Sequence, residues 1–95
     1  MPSPAGRGAD LLHGPALLEA LAADEHRRWA HWQRYLQSQC VVSNDGSLTI
    51  PATVVQRWTQ QMSTDYADLS DSEKESDREQ VNICLALIAK ALGAD

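Results

Sequence analysis

The sequence predicts an all-α fold, a small three-helix domain with a short hairpin-like insertion between helices 1 and 2. Three observations predict it. Apolar residues recur at helical spacing along three stretches. Ser70 and Glu73 have the spacing of a capping box ahead of the third stretch. Asp45-Gly46 stands between the first two, among Val and Ile residues, and suits the positive φ angles of a tight turn.

The chain has 95 residues, the size of one domain, and 43% of them are apolar. Phe is absent, so three Trp and two Tyr must supply most of the bulk. Each large aromatic buries about 150–250 Å². The net charge of −5 argues against general nucleic-acid binding, because no strongly basic surface offsets phosphate charge. Cys40 and Cys84 form no CxxC pair and read as small buried thiols of a reducing cytosol. No stretch is long and apolar enough to span a bilayer. The N-terminus lacks the apolar region of a secretory signal. A cytoplasmic location is expected.

Residues 1–13 are rich in Pro, Gly, Ala and Ser and read as a flexible tail ahead of a single domain over 14–95. Pro15 suits the first turn of a helix that should run to about Gln39. Leu18, Leu21, Ala22, Trp29, Trp32 and Leu36 form its apolar stripe. Glu25 falls inside that stripe and His26 on its border. Arg27, His31 and Arg34 fall on the opposite side. Asp24 and Arg28 stand at i, i+4, a pairing that contributes roughly 0.2–0.5 kcal/mol. Val41 to Ile50 reads as the hairpin. Pro51 starts the second helix, whose inner face should be Val54, Val55, Trp58 and Met62. Ser63-Thr64-Asp65 ends it. Tyr66 and Leu69 should pin the next loop to the core.

The third helix begins after Ser70. Asp71, Glu73 and Glu75 crowd its start, where the helix dipole favours carboxylates. Val81, Cys84, Leu85, Ile88 and Leu92 form one stripe, and Gly93 is a C-terminal stop. One turn back, the stripe meets Asp77. A carboxylate aimed at a core needs a partner, because stranding a buried charge costs roughly 3–5 kcal/mol. The expected core joins Leu18, Leu21, Trp29, Trp32, Val55, Trp58, Leu69, Val81, Leu85 and Ile88.

Three segments carry a family resemblance. They are Leu21…His26-x-x-Trp29, then Tyr66-x-x-Leu69-Ser70-x-x-Glu73-Lys74-x-x-Asp77-Arg78, then Leu85-x-x-Ile88. Together they resemble the ryanodine receptor repeat (RyR) domain. Residues 20–90 are also similar to small uncharacterised phage and prophage proteins, through Asp45-Gly46-Ser47-x-Thr49-Ile50-Pro51 and Arg57-Trp58…Gln61-Met62. The RyR resemblance implies a helical module that senses a nucleotide or nucleotide-derived ligand, without a cofactor. Its ligand site would gather Arg28, Trp29, Tyr66 and Arg78, with an arginine taking a phosphate bidentately. The chain departs from the RyR pattern in two ways. The aromatic-glycine segment after the first helix is replaced by the Val41–Ile50 stretch, and one copy stands where the channels use pairs.

Other constellations follow from the residues themselves. Glu25, His26, Asp77 and Arg78 can form a structural polar network if helices 1 and 3 pack antiparallel, with His26 or Arg28 meeting Asp77 and Arg78 meeting Glu25. His26 and His31 are five apart and diverge on a helix, and no zinc-type spacing occurs, so no metal is expected. The run from His26 to Tyr35 interleaves arginines with aromatics, as single-strand binders do. A core face opposite a solvated face explains that run more simply. Asp65, Asp68, Asp71, Glu73 and Glu75 form an acidic face that can steer a basic partner.

No Ser/His/Asp or Cys/His set and no glycine-rich phosphate loop points to catalysis. The expected function is a non-enzymatic protein-interaction module of phage or prophage type. It would bind a host protein, in defence or regulation, or self-associate as a homodimer. The alternative is the nucleotide-sensing module, with an adenine-nucleotide-type ligand.

Overall fold

The computed structural model describes residues 10 and 12–93. The fold is all-α. Its elements run α1 (Pro15–Ser38), β1 (Val41–Val42), β2 (Leu48–Thr49), α2 (Ala52–Met62), a 3₁₀ turn (Tyr66–Asp68) and α3 (Asp71–Ala91). The two strands form an antiparallel hairpin between α1 and α2, with Val41 opposite Thr49 and Val42 opposite Leu48. Most of the expected tail, residues 1–13, lies outside the described residues. Within it, Asp10 and Leu12 are helical.

Local chemistry explains each boundary. The Leu18 amide donates to the Gly14 carbonyl at 3.2 Å, closing the first turn of α1. In the hairpin turn, the Ser43 amide donates to Ser47 at 2.8 Å and the Gly46 amide to Ser43 at 3.0 Å. Gly46 adopts φ 87°, a region that costs any residue with a Cβ roughly 1–2 kcal/mol. Asp45 Oδ1 accepts from the Ser47 amide at 3.0 Å and from its hydroxyl at 2.6 Å. Both bonds stabilise the carboxylate and lower the Asp45 pKa. Pro51 caps α2, and its carbonyl accepts from Val54 and Val55. At the start of α3, Ser70 Oγ accepts from the Glu73 amide at 3.2 Å. In return, Glu73 Oε1 accepts from the Ser70 amide at 3.1 Å. This is the reciprocal capping box. At the other end, Gly93 takes φ 79° and its amide donates to Lys90, as a left-handed helix stop does.

The described residues fall into two compact units. The first holds the start of α1, up to Arg28, and α3 from Asp77 onward. Here Leu17 is 3% exposed and two polar side chains are buried, Asp24 and Gln80. The second unit spans Trp29–Ser76. It carries the end of α1, the hairpin, α2, the 3₁₀ turn and the first turn of α3. Val54, at 8% exposure, is its buried hydrophobic residue.

The inner faces correct the expected core. Leu18, Trp29, Trp32, Val55, Val81 and Leu85 are exposed, while Leu21, Trp58, Leu69 and Ile88 are half-buried. On α1 the buried side chains are Leu17 and Asp24, each one residue before its expected counterpart, Leu18 and Glu25. On α3 Gln80 is buried where Val81 was expected. A shift of one residue turns a helix by about 100°. The cause is polar. In this register Arg27 donates to both Asp24 and Gln80, which offsets part of the cost of burying them.

Candidate functional site

The first unit is organised around Asp24. Its carboxylate follows Leu17 by two helical turns and is 4% exposed. Arg27 reaches back three residues, and its Nε donates to Asp24 Oδ1 at 2.9 Å. The same guanidinium donates through Nη1 to Gln80 Oε1 at 2.9 Å, joining the two helices. Arg28 Nε lies 4.0 Å from Asp24 Oδ2. Its Nη2 donates to the exposed Glu25. That bond, with the negative field of Asp24, raises the Arg28 pKa. Two carboxylates and two guanidiniums thus neutralise one another, and Gln80 ties them to α3. Asp24 Oδ2 and Arg27 Nη2 are buried and accept or donate no hydrogen bond among the described residues.

The polar set expected from the sequence was Glu25, His26, Asp77 and Arg78. Glu25 pairs with Arg28 on its own helix. His26 and Arg78 are exposed. Asp77 is half-buried, and its carboxylate takes no partner among the described residues. The residues missed were Asp24, Arg27 and Gln80. One signal could have found the first two: Asp24 has an arginine at both i+3 and i+4, so it carries its own neutralising charges into a buried face.

Of the residues assigned to a ligand site, Arg28 and Arg78 belong to the first unit, Trp29 and Tyr66 to the second. Arg28 already meets Asp24 and Glu25. Trp29 is 59% exposed. Tyr66 is exposed, with Lys74 Nζ 5.7 Å from its ring centre.

The acidic face lies within the second unit. Glu73 is committed to the cap. Asp65, Asp68, Asp71 and Glu75 are exposed. Asp65, Asp68 and Asp71 make no ion pair among the described residues. Their backbone is held firmly. The Asp68 amide donates to Asp65 at 2.9 Å and the Leu69 amide to Tyr66 at 3.1 Å. Lys74 Nζ donates to the Ala67 carbonyl at 2.9 Å, fastening the turn to α3. No group of His, Cys, Asp and Glu among the described residues is arranged to hold a metal ion.

The second unit also carries an aromatic strip. Trp32 and Tyr35 meet edge to face with ring centres 6.2 Å apart. Tyr35 lies 6.3 Å from Trp58 of α2. Arg57 Nη2 donates to Tyr35 Oη at 3.5 Å and to Gln39 Oε1 at 3.3 Å. No helix among the described residues is long and apolar enough to cross a membrane. No family model, no curated protein and no solved structure matches the chain.

Proposed function

We propose that the chain is a non-enzymatic protein-interaction module of phage or prophage type. It binds a basic host protein in the bacterial cytoplasm, in a defence or regulatory system. One observation carries this reading. Asp65, Asp68 and Asp71 are exposed without an ion pair among the described residues, on a turn held by the Ser70–Glu73 cap and by Lys74. Unneutralised charge on a fixed backbone loses little entropy on binding and steers a basic partner. Tyr66 supplies apolar area in the middle of that charge.

Capture from host lysate tests it, using the wild-type chain and a variant carrying Asp65→Asn, Asp68→Asn and Asp71→Asn. A basic protein held by the wild type should be lost in the variant and released by salt. A partner held equally by both sinks the proposal.

The RyR-type nucleotide-sensing reading stands second. A phosphate at Arg28 has to displace Glu25 and compete with Asp24, both anions. Thermal unfolding against adenine nucleotides tests it. Stabilisation that vanishes in a folded Arg78→Ala variant puts this reading first.

A further inference from the structure

The aromatic strip of the second unit is independent of the acidic face. Trp29, Trp32 and Tyr35 come from α1; Val55, Trp58 and Met62 come from α2. Trp58 is half-buried and the other five are exposed, Met62 at 79%. Trp29 and Trp32 are three apart on one helix and so are neighbours on its surface. Val55, Trp58 and Met62 follow one another at helical spacing on α2. The Trp32–Tyr35 and Tyr35–Trp58 contacts make the strip continuous across both helices.

We infer that this strip is the contact face of a homodimer, and that a second copy of the chain lays the same strip against it about a two-fold axis. Three properties select a second copy. The first is area. With aromatics of about 150–250 Å² each, and Val55 and Met62 beside them, the exposed fractions amount to roughly 400–600 Å² per copy. A standard interface buries about 800 Å² per partner, polar rim included. The second is self-complementarity, which a two-fold contact requires. The strip is apolar apart from the Tyr35 hydroxyl and the His31 ring, which meets Trp32 edge to face at 4.7 Å. Its cation, Arg57, is exposed at the edge and held to Tyr35 and Gln39, so its charge stays at a solvated rim while the apolar centres meet. The third is need. Val54 is the unit's one buried hydrophobic residue among the described residues, and Cys40 and Cys84 are free. A chain of this size with so small a core and no crosslink gains most from association. Trp, Tyr, Met and Arg are also the residues that interface centres favour.

Sedimentation velocity of the full chain, from about 1 to 100 µM, tests this. The wild type should pass from monomer to dimer within that range. Met62→Lys and Trp29→Glu each place a charge on the strip at an exposed position. Each should weaken the dimer at least ten-fold, with helicity by circular dichroism unchanged and with Met62→Leu still dimeric. The triple Asp→Asn variant of the acidic face should dimerise like the wild type, which separates this inference from the proposed function. A monomer at every concentration overturns it, as does a dimer that both strip variants leave intact. A host protein that binds a monomeric chain and is lost in Met62→Lys also overturns it, since the occupant is then a different chain.

Discussion

Asp24 shows how one side chain can set the face a helix buries. Its carboxylate is out of water, and Arg27 bonds to it at 2.9 Å. Glu25, the next residue, is exposed with its own bond to Arg28. The two should respond differently to truncation. Asp24→Ala strands Arg27 Nε next to Gln80, but Arg27 is partly solvated, which moderates the loss to roughly 1–3 kcal/mol. Glu25→Ala should change stability by less than about 0.5 kcal/mol, as exposed pairs do. Urea unfolding of both variants checks the ranking. Equal midpoints would mean that Asp24 does not hold the two helices together. Asp45 makes a pH prediction. Its pKa is lowered by the Ser47 hydroxyl and amide, so the folded turn prefers the carboxylate. That preference is complete above the ordinary carboxylate value of about 4 and fades as pH falls through the lower folded value. The Ser47 amide resonance should therefore move as the pH drops below about 4, and stay put in Asp45→Asn.

The elements were legible where local chemistry alone decides them. The Ser70–Glu73 spacing marks a helix start, and α3 begins at Asp71 with both reciprocal bonds formed. Asp45-Gly46 marks a turn, and Gly46 takes the positive φ it exists to take. Pro51 and Ser63 bracket α2. Ser70→Ala should cost about 1 kcal/mol, the usual cost of losing an N-cap. Ser70→Asp should recover most of it in the same chemical denaturation series. A Ser70→Ala variant as stable as the wild type would show that the cap does not limit this helix. What the sequence did not disclose is which side of each helix faces inward. Leu17 and Leu18 are both apolar, as are Leu87 and Ile88, so two stripes about 100° apart compete on each helix. Hydrophobicity cannot choose between them. The choice falls to Asp24, Arg27 and Gln80, and a pattern search that sorts polar residues outward discards those three first.

At the scale of the whole molecule, charge and apolar surface pull association in opposite directions. Each copy carries a net charge of −5 and the chain has a pI near 5.0. Two copies meeting through an apolar strip therefore repel one another over distances comparable with the Debye length, about 10 Å at 0.1 M salt. Added salt should tighten a dimer held by Trp29, Trp32 and Met62, since it screens that repulsion and leaves the apolar contact intact. A basic partner on Asp65, Asp68 and Asp71 feels attraction instead, and salt should loosen it. The two surfaces can thus be told apart by the sign of one slope. Sedimentation at about 0.05 and 0.5 M salt should give a dissociation constant that falls for the homodimer. Capture of the host partner should weaken over the same range. A homodimer that dissociates as salt rises would place the acidic segment, and not the aromatic strip, at its interface.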